Sequence, residues 1–202
     1  MTDNEKQRDR IFQVSSNREN PSHKLRYIEA SAPDESDCRL CIGSLTTNHE
    51  GPNQALVKNA VSSDIPQIAF LEKQAYAKQA YPPLLFYQAL RQWPDTFLSL
   101  KLDNKIVGYS LMVPTSGTTL SLMSLLVSEA FQGQGLGKGL LYESIRVASK
   151  LNYQRVELSV SPVNHSAIYL YENSGFNTTE SVDDYLGPGE HRLLMTLLLD
   201  KE

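Results

Sequence analysis

The stretch Phe131-Gln132-Gly133-Gln134-Gly135-Leu136-Gly137-Lys138-Gly139 constrains this chain more than any other feature. Four glycines fall within seven residues, soon after the apolar run Leu125-Leu126-Val127 and at the start of a helical pattern. A glycine in a helix interior costs about 1 kcal/mol relative to alanine, so such a cluster needs a reason. Glycines turn the backbone tightly and let it approach a ligand with no side chain in the way. A helix N-terminus adds outward-facing N–H groups and partial positive charge. The matching guest is a phosphate or pyrophosphate. A connector that merely packs helix against sheet is the plainer alternative.

The spacing excludes two phosphate-binding designs. A P-loop needs G-x-x-x-x-G-K-[ST]. Here Gly137-Lys138 is followed by Gly139, and Gln132 stands where the first glycine belongs. A dinucleotide fingerprint needs G-x-G-x-x-G, and glycines at 133, 135, 137 and 139 contain no such triplet.

The rest of the pattern frames this turn. A short strand is expected over 55–60. Ser62-Ser63-Asp64 offers an N-cap, with Pro66 tolerated in the first turn. Ile65, Ile68, Ala69 and Glu72 carry helical spacing to about Tyr76. Tyr81-Pro82-Pro83 breaks the chain, and a second helix over 84–92 stops at Pro94. Strands over 96–102 and 106–113 flank the turn Asp103-Asn104-Lys105, and a third strand covers 118–127. The helix over 135–151 keeps Leu136, Leu140, Leu141, Ile145, Ala148 and Leu151 on one face. A strand over 155–160, a helix over 166–173 and strands over 176–182 and 193–199 complete the series. This order describes a mixed α/β domain with a strand–helix–strand crossover.

Composition bounds the remaining possibilities. A chain of 202 residues fits one domain with a tail rather than two full domains. It is 41% hydrophobic overall, yet residues 1–54 hold only 14 apolar residues. That segment buries too little to offset its ordering entropy, so a flexible polar leader is expected there, with a partner-binding arm as the alternative. The domain proper is expected over 55–202. A net charge of −4 speaks against a general polyanion binder, and no nucleic-acid motif occurs. No apolar run approaches a membrane span, and the polar N-terminus does not read as a secretion signal. Cys38 and Cys41 form a C-x-x-C without two further zinc ligands at suitable spacing, so no metal is expected. Cytoplasmic residence is the default expectation.

Two motifs resemble one family. Gln132-x-x-Gly135-x-Gly137 resembles the Q/R-x-x-G-x-G/A motif of the GCN5-related N-acetyltransferases (GNAT). Asn164-x-x-Ala167-x-x-Leu170-Tyr171-x-x-x-Gly175-Phe176 resembles that family's second motif. The resemblance covers about residues 55–200. Its C-terminal part is most similar to the ribosomal-protein alanine N-acetyltransferases, and residues 82–100 resemble the arylalkylamine branch.

The resemblance implies a mixed, mostly antiparallel sheet of six to seven strands flanked by about four helices. It implies an acetyl-CoA cleft where the fourth and fifth strands splay. Backbone groups of Leu125, Leu126 and Val127 would pair with the pantetheine arm, and the amide near Leu125 would polarise the thioester carbonyl. The turn Gln132, Gly133, Gln134, Gly135, Leu136, Gly137 and Lys138 would hold the pyrophosphate. Asn164 would contact the arm or steady its loop. The implied reaction is direct attack of a primary amine on the thioester in a ternary complex. The acceptor would be a protein N-terminus, a lysine or a small amine. Tyr171 would be the general acid, against the alternative that it only packs its helix.

The general base is where the chain departs from the family. Ser159 stands where the ribosomal-protein branch has a glutamate, and Ser121 and Met123 stand where the arylalkylamine branch has histidines. Glu157, two residues before Ser159 on the same strand face, acts through a water or is simply solvated; the residues leave both open. Glu72, Tyr185, Glu190 and His191 are further candidates. Tyr81, Tyr87 and Trp93 would form an apolar rim on the acceptor side, unless they are core. The competing reading is a non-catalytic acyl-CoA-binding module with an N-terminal interaction arm. Oligomeric state, homodimer included, is left open.

Overall fold

Apolar alternation and turn chemistry build seven strands and four α-helices in the computed structural model, which describes residues 55–199. The expected leader over 1–54 and the Cys38–Cys41 pair lie outside the described residues. The elements are β1 (Ala55–Asn59), α1 (Ile65–Tyr76), α2 (Pro83–Gln92), β2 (Phe97–Leu102), β3 (Lys105–Ser116) and β4 (Thr119–Val127). They continue with α3 (Leu136–Lys150), β5 (Arg155–Val160), α4 (His165–Glu172), β6 (Asn177–Val182) and β7 (Arg192–Leu198).

The β2–β3 hairpin turns on Asp103 and Asn104, both at positive φ (48° and 63°) between the paired residues Leu102 and Lys105. Left-handed geometry at both central residues matches the twist of the flanking strands. β3 runs three residues further than its sequence suggests. Proline removes a ladder donor, which reads as a strand end. Instead the ladder to β4 passes Pro114 through an irregularity between Pro114 and Ser116.

The seven strands form one sheet in the order β1-β2-β3-β4-β5-β7-β6. The β4–β5 pair is parallel and the others antiparallel. A parallel pair needs a long crossover, which α3 supplies. The faces divide the helices between them. On one face Leu140, Leu141 and Ala148 of α3, with Ala167, Leu170 and Tyr171 of α4, pack against Leu120, Leu122, Val156, Leu158 and Val160. On the other, Ile65, Ile68, Leu71 and Tyr76 of α1, with Phe86 and Ala89 of α2, pack against Phe97, Tyr109, Leu111, Met123 and Leu126. The spacing of three and four residues in both helix sets is what turns one apolar stripe toward the sheet.

Candidate active site

β4 has nine residues and β5 six, but among the described residues their ladder holds only three pairs: Thr119 with Arg155, Leu120 with Val156, and Ser121 with Glu157. Beyond Ser121 the strands part. Leu125, Leu126 and Val127 remain paired with Ser110, Tyr109 and Gly108 of β3. On their β5 side the ladder has ended. One register shift between Leu111 and Met112 places an extra residue, Met123, in β4 just before this segment. Such bulges bend a strand and re-aim its groups.

The glycine turn sits at the mouth of this opening. Gly133 and Gly135 take φ of 75° and 76°, and a Cβ built on either meets no atom within 4 Å. Gly135 is the N-cap of α3 and brings no side-chain cap to its first turn. The Gln132 amide nitrogen donates to the Val127 carbonyl at 2.8 Å and so ties the turn to the end of β4. Open space beside left-handed glycines at a long helix's N-terminus fits a diphosphate. Gln134 and Lys138 are exposed beside it, while Leu136 and Gly137 belong to the first turn of α3.

Asn164 caps α4: its Oδ1 accepts from the Ala167 N–H at 3.0 Å, and the residue is 5% exposed. Tyr171 of α4 is buried, with its ring 5.7 Å from Phe176.

On the α1/α2 face, β5, β6 and β7 border a cavity of about 240 Å³ lined by Ser121, Glu157, Ser159, Glu180, Tyr185 and Thr196, among others. Glu157 and Ser159 do share a strand face, as their spacing requires. Glu157 is half-buried and lies 3.2 Å from Arg155. Burial foremost, then the charges of Glu157 and Glu180, raises the Tyr185 phenol above its ordinary value.

The other candidate bases separate. Tyr185 lines the cavity with Glu157. Glu190 is paired with Arg192 at 2.8 Å, and His191 with Asp183 at 3.1 Å, both at the β6–β7 connection. Glu72 is fully buried on α1, where it accepts from the Tyr81 N–H at 3.0 Å and the Tyr109 hydroxyl at 2.5 Å. The apolar rim divides too. Tyr81 is core, edge-on to Phe86, whereas Tyr87 is exposed and Trp93 half-buried. Among the described residues no cluster of His, Cys, Asp and Glu is arranged to hold a metal, and no helix is long and apolar enough to cross a membrane.

A sheet split beside a glycine turn is the architecture that the resemblance to the acetyltransferases implies. The family model of the Acetyltransferase (GNAT) family matches residues 63–176, and the chain belongs to that family. It is an N-acetyltransferase, with acetyl-CoA as acyl donor. An N-alpha-acetyltransferase of Sulfolobus acidocaldarius is 27% identical over 151 residues, covering 69% of this chain and 89% of that one. The fold is also that of Ard1 from Thermoplasma volcanium, at TM-score 0.67 and 22% identity over 72% of this chain and 98% of that one. The ribosomal-protein-S18-alanine N-acetyltransferase of Escherichia coli matches at TM-score 0.64 and 22% identity, over 74% and 96%.

Proposed function

We propose that this protein transfers an acetyl group to the free α-amine of a protein or peptide N-terminus. The observation that carries the reading is the three-pair β4–β5 ladder opening beside an uncapped glycine turn. Bound acetyl-CoA supplies an activated carbonyl and a good leaving group. The turn from Gln132 to Lys138 holds the diphosphate through backbone N–H groups. Leu125, Leu126 and Val127 present backbone groups along the unpaired side of β4, and the Leu125 N–H donates toward the thioester oxygen. Tyr171 gives a proton to the departing sulfur, which a phenol with pKa near 10 can do for a nascent thiolate. Glu157 takes the amine proton through water, from within the cavity it shares with Ser159 and Tyr185. A charged intracellular donor supports a cytoplasmic site of action.

The acceptor follows from what the site lacks. Ser159 is no base, and Glu157 is already engaged by Arg155. A weak base suits an amine that arrives neutral. At pH 7 roughly one in seven α-amines is neutral, against roughly one in 2,500 lysines. The N-alpha-acetyltransferase relatives point the same way, and they do not favour a non-catalytic binding module.

The test is thiol release from acetyl-CoA with three substrates: a peptide with a free α-amine and blocked lysine, its converse, and a small amine. Turnover at least about tenfold faster on the free α-amine supports the reading. A preference for lysine, or no release with any of them, overturns it.

A further inference from the structure

Glu72 is a charged residue with no place in the chemistry above, yet it is fully buried. Carboxylates are almost never fully buried unless strongly hydrogen-bonded. Its two oxygens serve two different walls. Oε1 accepts from the Tyr81 N–H, in the connection between α1 and α2. Oε2 accepts from the Tyr109 hydroxyl of β3, and that hydroxyl oxygen accepts in turn from Ser124 Oγ at 2.9 Å. Ser124 lies between the bulged Met123 and Leu125, on the part of β4 beyond its last β5 pair.

The bonds therefore run in one direction, from Ser124 to Tyr109 and from Tyr109 and the Tyr81 N–H to Glu72. The Tyr109 phenol is held well above its ordinary pKa, by burial first and then by the Glu72 charge, so it remains a donor. Buried networks of this kind fix one geometry, because any rearrangement strands a polar group. The α1–α2 connection and the β4 bulge are far apart in the chain, and they share one anchor.

We propose that Glu72 is a positioning residue that holds the α1–α2 connection and the bulged segment of β4 in mutual register for transfer. It touches no substrate. It acts through Tyr109 and Ser124 on the strand that carries Leu125, and through Tyr81 on the opposite wall. This rests on the acetyltransferase reading for its assay.

The variants Glu72→Gln and Ser124→Ala separate the two arms. In Glu72→Gln the amide side chain keeps the shape and can still accept from Tyr81, but its NH2 can only donate to the Tyr109 oxygen, so the Tyr109 and Ser124 hydroxyls must turn round. Ser124→Ala cuts only the β4 arm and leaves Glu72 bonded to Tyr81 and Tyr109. With a free-α-amine peptide, Ser124→Ala is expected to lower kcat about three- to tenfold, with both KM values within about twofold and Tm nearly unchanged. Glu72→Gln is expected to lower kcat about tenfold and raise the acceptor KM, with the acetyl-CoA KM within about twofold. The double variant should be no worse in kcat than Glu72→Gln alone, since both act along one path. Folded variants with wild-type kcat, or additive losses in the double variant, overturn the proposal. If Glu72→Gln does not fold, Ser124→Ala and Tyr109→Phe decide it by the same kcat reading. Wild-type protein inactive on every amine would instead overturn the functional reading, which keeps the two failures distinct.

Discussion

Replacing Gly135 with alanine separates the fold's need for that glycine from the ligand's. The backbone there has φ of 76°, and a left-handed conformation costs an L-residue about 1–2 kcal/mol. Alanine also stiffens the unfolded chain, which returns about 0.4–1 kcal/mol. The net destabilisation is about 1 kcal/mol, because the added Cβ meets nothing within 4 Å. For a domain of this size that lowers Tm by about 2–4 °C. Donor binding should suffer more. The methyl group projects into open space at the N-terminus of α3, where the diphosphate is proposed to sit. Losing one charge-assisted hydrogen bond costs about 1.5–3 kcal/mol, so affinity for CoA should fall about 10- to 150-fold. Titration calorimetry with CoA and with acetyl-pantetheine, which has no diphosphate, gives the comparison. The variant should lose affinity for CoA and not for acetyl-pantetheine. Wild-type CoA affinity in a folded Gly135→Ala protein would refute the phosphate cradle. An equal loss for both ligands would show that the turn acts on the arm instead.

Three other perturbations test neighbouring parts of the structure. In Gly108→Ala the new Cβ would lie 2.6 Å from the Leu126 carbonyl oxygen, a backbone atom that cannot swing away. A cost of about 1–3 kcal/mol in chemical denaturation is expected, and a neutral result would contradict the β3–β4 register. Asn164→Ala removes the α4 cap and should cost about 0.5–2 kcal/mol, read as a lowered denaturation midpoint at constant m-value. Tyr185 has a raised folded pKa, so the folded state holds its proton more tightly than the unfolded chain does. Its contribution to stability is complete below about pH 10 and is lost as pH rises through the folded value. Glu157→Gln should move phenolate absorbance to lower pH, measured against Tyr185→Phe, and make that alkaline loss shallower. An unmoved titration would separate Tyr185 from Glu157.

The turn proposed to hold the donor was legible because its information is local. The glycines, the run Leu125-Leu126-Val127 and the cap Asn164 act within a few residues of themselves. Backbone geometry at Gly133 and Gly135 disfavours other side chains for reasons a spacing can show. Element types follow as directly, since a period of two or of 3.6 survives most contexts. The places where pattern reading slipped are those where a neighbour overrules a residue. Pro114 stays in β3 because the ladder to β4 absorbs the missing donor in an irregularity. Tyr81 looks like a rim residue by composition, but Phe86 packs edge-on to it in the core.

The proposed acceptor side was obscure for the opposite reason. Its geometry is made by contacts between residues far apart in the chain. Glu72 meets Tyr109 across 37 residues, and Glu157 and Tyr185 come together only when β5, β6 and β7 close a cavity. The single local sign at Glu72 was a charge at an apolar-face position of α1. That sign says the residue must find partners, and it does not say which. The opening between β4 and β5 has the same character, because strand lengths do not reveal that pairing stops after Ser121. One physical division runs through both findings. A donor common to many enzymes can be held by backbone groups that a short motif encodes. A particular acceptor must be recognised by side chains brought together by the fold. Changes at Gly135 should therefore alter CoA binding whatever the amine, while changes at Glu157 and Tyr185 should reorder the amines. If Tyr185→Phe leaves the ranking of an amine panel intact, the cavity bordered by β5, β6 and β7 does not select the acceptor.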